Sequence, residues 1–269
     1  MGTNEAEDKA EELSGLLFEL EAQGGLRVAR SAAEIEECME SGTIAAVLHF
    51  EGAEPLRSPE GLEAWHERGL RSLGLVWSRA NAYAEGVPFR FPASPDTGPG
   101  LSDPGRALVR ACNRLGILVD LSHLNLRGFF DVADISEAPL VASHSNAHAA
   151  CPSTRNLTDE QLEAVAASNG LVGVNFAVGF LREDGRVDAD DTPLETVVRH
   201  VDYLVERMGI DHVGFGSDFE GAHPPPELGD VSRLPALLDA LRTAGYDEAS
   251  LRKLAHENWI RVLRETWGP

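Results

Sequence analysis

An α/β barrel of the (β/α)8, TIM type is the fold class the sequence predicts, and three observations predict it. The chain has 269 residues, near the ~250 of one such barrel. Six short apolar runs alternate with helical stretches, which implies a parallel sheet with helices outside it. The runs end in polar residues: Glu51, Ser78, His123, His144, Asn175 and Asp218. In a parallel barrel the C-terminal strand ends form the active face, whereas a doubly wound sheet usually binds near one switch point. Polar groups on six consecutive strands favour the barrel.

From the N-terminus, EDKAEELSGLLFELEAQ and SAAEIEECMESG read as helices, with LRVAR between them as a weak strand-like piece. Residues 1–42 are therefore expected to be a helical segment leading into the barrel. The six runs follow: TIAAVLHFEG (43–52), RSLGLVWS (71–78), GILVDLSH (116–123), PLVASHS (139–145), GLVGVNF (170–176) and HVGFGSDFEG (212–221). Each is rich in Val, Ile, Leu and Gly and lacks clean alternation, as expected of a strand buried on both faces. Helix ends are marked between them. Thr158-Asp-Glu-Gln161 forms a capping box, and Thr192-Pro193-Leu-Glu195 supplies an N-cap, a first-position Pro and an N3 Glu. Ser58-Pro59 starts another helix, and Gly116 and Gly209 close two. GVPFRFPASPDTGPG (86–100) reads as a long loop on the active face. With no internal repeat, residues 1–269 are expected to form a single, partial barrel domain. A (β/α)8 barrel needs eight strands, so its first two are expected to be missing from this chain.

The formal charge of −21 leaves no basic patch to displace counterions from phosphates, which argues against nucleic acid and against an anionic membrane surface. Cys38, Cys112 and Cys151 are odd in number and lack CxxC spacing, so a reducing compartment fits. Neither a signal peptide nor a membrane-spanning stretch is read, and the expected location is cytoplasmic.

Glu51, His123, His144 and Asp218 each end a separate strand, so they can converge although distant in sequence. Two neutral imidazoles and a carboxylate match a zinc first shell with water at an open position. A further carboxylate can take a proton from that water and pass it to a leaving amine. The opposing reading is that these are ordinary strand-end residues. Convergence of four suitable groups on one expected face favours chemistry.

At this point the residues carry a resemblance. HFEG, GLRSLGLVWSRAN, GLSDPGRALVRACNRLGILVDLSH, LVASHSNAHAACPSTRNLTDEQL, VGVNF, HVGFGSDFEG and ENWIRVL resemble the membrane (renal) dipeptidase family, zinc peptidases of the amidohydrolase superfamily. The likeness runs from about Leu13 to the C-terminus. It implies a (β/α)8 barrel with a binuclear zinc centre, acting on small dipeptides, and a homodimer. Glu51 matches the carboxylate that bridges two metals, and His123 and His144 match the histidines of the second metal. Asp218 matches the catalytic aspartate, and Arg155 an arginine that binds the substrate's terminal carboxylate.

Two departures stand out. The family opens with a His-x-Asp pair that completes the other metal site, and no such pair precedes Glu51. His49-Phe50-Glu51 imitates the spacing, but His49 is expected to be an inward barrel residue. One zinc site is therefore expected to be incomplete, through a chain that begins late or a paralogue that lost half its site. Trp77 stands where other family members carry a histidine thought to polarise the substrate carbonyl. An indole N–H donates one hydrogen bond but takes up no proton. Trp77 and Asn175 are expected to contact substrate, as is Asn81. His148 is expected in a loop or helix start rather than as a ligand. The expected function is hydrolysis of the amide bond of small dipeptides by metal-activated water. The alternative is an impaired or non-enzymatic barrel paralogue with a degraded metal site, acting in binding.

Overall fold

The structure, a computed structural model, describes residues 3–268. They fall into two compact units, one of residues 3–86, 98–138 and 260–268, the other of residues 87–97 and 139–259.

In the first unit, α1 (Thr3–Ala22) carries Glu7 and Glu11, which pair with Arg57 and Arg68. The strand-like LRVAR yields β1 (Arg27–Val28), and α2 (Ala32–Ser41) follows. Ser31 caps that helix by accepting the Glu34 N–H, and Gly42 ends it at φ 70, a left-handed conformation glycine adopts at low cost. β1 pairs in parallel with β2 (Ala45–Ala46). The first long run then gives β3 (Leu48–Glu51). After a 3-10 turn come α3 (Leu62–Arg68), β4 (Leu70–Gly74), α4 (Asp103–Leu115), β5 (Leu118–Asp120) and α5 (Leu126–Ile135). β4 lies between β3 and β5, parallel to both. In α4, Ser102 accepts the Gly105 N–H and Gly116 closes the helix at φ 65. Leu108, Val109, Ala111 and Cys112 on its inner face are all buried. The indole N–H of Trp267 donates to Arg71 O at 2.9 Å.

The second unit holds β6 (Val141–Ser145), α6 (Asp159–Ala167), β7 (Leu171–Val174), α7 (Val178–Leu181), α8 (Glu195–Met208), β8 (Val213–Phe215), α9 (Leu234–Thr243) and α10 (Glu248–Arg252). A π-helical turn, Lys253–Glu257, leads into the last helix, α11 (Asn258–Trp267). β7 is parallel to both β6 and β8, and all four of its residues are buried, which explains its unbroken apolar run. The side-chain amide of Asn258 donates to the carbonyls of Ile210 and Val213, and Trp259 donates to Phe215 O.

Two glycines are set by close approach. A Cβ at either Gly173 or Gly216 would lie 2.0 Å from the Ser143 carbonyl oxygen, so β6, β7 and β8 meet there without side chains. The ladder between β6 and β7 also shifts register between Ala142 and Ser145, a bulge that re-aims the residues inside it.

All six apolar runs contain a strand, as expected, and the class is α/β with parallel sheets. The strands are shorter than the runs. β5 stops at Asp120 because its carboxylate accepts the Ser122 N–H at 3.0 Å and turns the chain. The capping box at Thr158 and Gln161 forms as read. The cap expected at Thr192 does not: α8 starts at Glu195. The Thr192 hydroxyl instead donates to Ala189 O at 2.7 Å in a preceding turn and accepts from Arg182 Nη1 at 3.2 Å. Among the described residues, no helix is long and apolar enough to cross a membrane.

Candidate functional site

In the first unit, Glu51 ends β3 and His123 lies three residues beyond β5. His123 sits at φ 69, a conformation that costs a non-glycine residue about 1–2 kcal/mol and tends to cluster at functional sites. The turn from Leu121 to Leu124, closed by a 3.2 Å backbone bond, holds it there. Its Nε2 is 2.9 Å from Glu51 Oε1, with His123 only 5% and Glu51 45% exposed. Its Nδ1 is 2.7 Å from Ser78 Oγ, and the Trp77 ring lies 5.8 Å away, tilted by 32°. The Arg79 guanidinium stands 5.7 Å over the other aromatic partner of this cluster, Trp77.

His49, on the same strand as Glu51, has its Nδ1 2.9 Å from Ser72 Oγ. Its Nε2 is 4.0 Å from the buried Asp120 carboxylate. Asn81 is a loop former: its amide donates to Leu75 O, and its oxygen accepts from Tyr83 N and Ala84 N.

In the second unit, His144 lies inside the β6 bulge with its Nδ1 2.7 Å from Ser143 Oγ. Arg155 is 3% exposed. Its Nη2 donates to His144 O at 3.1 Å, and its guanidinium lies 5.3 Å from the Phe180 ring centroid, within cation–π range. Asp218 follows β8 at φ 57. One of its carboxylate oxygens accepts from Asn175 Nδ2 at 2.9 Å. Asn175 itself is fully buried. Its Oδ1 accepts the Ala177 N–H at 2.6 Å and its own N–H donates to Asn146 Oδ1 at 3.1 Å. The carboxamide of Asn175 is thus occupied by Asp218 and the backbone.

His148 is a loop residue, its Nε2 paired with Ala93 O at 2.9 Å. Cys151 is buried, and burial pushes its thiol up to about 11, so it is protonated near neutral pH. His200 carries more structure than its sequence suggested. Its Nδ1 accepts the Ala147 N–H at 3.3 Å and its Nε2 donates to Leu181 O at 3.0 Å. Nothing in the helical pattern of α8 distinguishes this histidine from its neighbours, because its partners lie 53 and 19 residues away. The serine partners of His123 and His144 were equally hidden. Ser78 is distant from His123 in sequence, and adjacent strand residues such as Ser143 and His144 ordinarily face opposite sides.

Imidazoles and carboxylates at or just beyond the ends of parallel strands are the arrangement a metal-dependent hydrolase uses. Residues 15–267 match the family described as Membrane dipeptidase (Peptidase family M19), and the chain belongs to that family. It is 52% identical over 246 residues to an uncharacterized protein in the pqqA 5′ region of Klebsiella pneumoniae, covering 91% of this chain and 90% of that one. It is 33% identical over 242 residues to the dipeptidase tcpJ of Claviceps purpurea (strain 20.1), covering 89% of this chain and 55% of that protein's length. Among solved structures it is similar to a metallo peptidase from Rhodobacter sphaeroides liganded with a phosphinate mimic of the dipeptide L-Ala-D-Ala. That likeness has a TM-score of 0.96 at 53% identity, over 99% of this chain and 77% of that one.

Proposed function

We propose that this chain is a zinc-dependent dipeptidase that cleaves the amide bond of a small dipeptide with a free carboxylate. The observation that carries the reading is the 2.9 Å approach of Glu51, at the end of β3, to His123, on a strained turn past β5, in a member of the M19 family. Relatives that are named dipeptidases and a solved metallo peptidase holding a dipeptide mimic support it.

In this reading, which follows the match to the family's ligands, Glu51, His123 and His144 are assigned to zinc. The donor set fits: one carboxylate and two neutral imidazoles suit zinc, with a fourth position left for water. Both imidazoles have Nδ1 at a hydroxyl, and at His123 the Nε2 that meets Glu51 Oε1 at 2.9 Å would give up its proton to take the metal. Zinc bound there supplies Lewis acidity, polarising the amide carbonyl and acidifying water. Asp218 takes the water proton and delivers it to the leaving amine. Asn175 steadies the Asp218 carboxylate rather than touching substrate. Arg155 anchors the terminal carboxylate, since a guanidinium presents a fork that matches one. Trp77 lines the substrate position and donates a hydrogen bond without taking up a proton. The proposed zinc position is the one these three side chains offer. Cys38, Cys112 and Cys151 are free and buried, which suits a reducing, cytoplasmic setting. A homodimer is the proposed assembly, tested by sedimentation.

The experiment is hydrolysis of a panel of dipeptides by the zinc-loaded protein and by Asp218→Ala. The reading expects cleavage by the wild type and its loss in the variant. Equal rates in the two would overturn the role given to Asp218. Zinc binding without cleavage of any dipeptide would favour an impaired paralogue that binds rather than hydrolyses.

A further inference from the structure

The two imidazoles assigned to zinc share one device. Ser78 Oγ stands 2.7 Å from His123 Nδ1, and Ser143 Oγ stands 2.7 Å from His144 Nδ1. The two contacts arise in unrelated ways. Ser78 belongs to the loop beyond β4 and reaches a histidine 45 residues away. Ser143 is the immediate neighbour of His144, and the two meet because the ladder shifts register between Ala142 and Ser145. On a regular strand they would point to opposite faces.

We infer that Ser78 and Ser143 are positioning residues that hold His123 and His144 as zinc ligands. The inference rests on the reading above, in which both histidines ligate through Nε2. A neutral imidazole has one N–H and one lone pair. When Nδ1–H donates to the serine hydroxyl, the lone pair is confined to Nε2 and the ring is held against rotation. Orienting partners of this kind are commonly carboxylates or backbone carbonyls. A hydroxyl gives the same orientation without adding negative charge to the ligand. The bulge in β6 has a purpose in this account, since it brings an orienting hydroxyl to the ring beside it.

The test is zinc affinity by chelator competition on the full chain, for wild type, Ser78→Ala, Ser143→Ala and the two Ser→Thr variants. Losing an orienting partner costs roughly 10–100-fold in metal affinity. Each Ala variant is expected to lose that much, with an unchanged metal-free melting temperature. Each Thr variant, which keeps the hydroxyl, should return to near the wild-type value. Histidine 15N spectra of the zinc-loaded protein should show slowly exchanging Nδ1–H signals that disappear, one per substitution, in the Ala variants. Ser72→Ala is the control, because Ser72 makes the same contact with His49, which is given no ligand role. Ala variants that bind zinc within about 3-fold of wild type, on the same scale, would overturn the inference. So would Thr variants no better than Ala, or a Ser72→Ala loss as large as the others. A wild type that binds no zinc would instead overturn the metal reading, and this inference with it.

Discussion

Lowering the pH from 7 to 5 should weaken this protein through one buried imidazole, His200. Its Nε2–H donates to Leu181 O and its Nδ1 accepts from Ala147 N, so the folded state needs the neutral ring. A proton on Nδ1 would face the Ala147 N–H and lose that bond. Burial accordingly pushes the group down to about 4, against ~6.5 for a free histidine. As pH falls below 6.5 the unfolded chain takes up a proton that the folded chain refuses until pH 4. Unfolding is therefore favoured across that window. The stability is fully present above pH 6.5 and lost as pH falls through 4. The loss from this one group is about 2 kcal/mol by pH 5 and about 3 kcal/mol below pH 4. Urea unfolding at pH 7, 6 and 5, on wild type and His200→Gln, isolates it. Glutamine can donate and accept in similar positions but does not titrate, and the surface carboxylates are common to both proteins. The wild type should lose about 2 kcal/mol relative to the variant between pH 7 and pH 5. A difference that stays constant with pH would refute the reasoning.

Three further substitutions follow, with Gly61 as the control for Gly216. Gly216→Ala puts a Cβ 2.0 Å from Ser143 O, against backbone that has no flexible end to move, and should cost at least the ~1–3 kcal/mol of overpacking. Gly61→Ala, with nothing within 4 Å, should be near neutral in the same thermal melts. Asn175→Ala removes the amide that holds Asp218 and should lower kcat by roughly 10–100-fold with KM little changed. A raised KM at constant kcat would assign Asn175 to substrate contact instead.

The parts of the fold that depend on neighbours in sequence were legible, and those that depend on distant partners were not. Each apolar run contained a strand because burial on both faces leaves a compositional mark that needs no knowledge of the partner. The capping box at Thr158 is local in the same sense. Thr192 misled because its hydroxyl oxygen accepts from Arg182 Nη1, ten residues back, and the local pattern alone does not say which bond wins. β5 ended early for a similar reason, since Asp120 turned its carboxylate on the Ser122 N–H. At the site, Glu51, His123, His144 and Asp218 stood out as strand-end polar groups. The work of Asn175, Ser78, Ser143 and His200 did not, because each is defined by a hydrogen bond whose geometry comes from a bulge, a turn or a remote helix.

Zinc per chain, measured on the loaded and desalted protein, tests the central claim most directly. The account predicts at least one ion per wild-type chain, as a site with an open position implies, and none in His123→Ala or His144→Ala. A wild type that retains no zinc, or either variant retaining as much as the wild type, would contradict it.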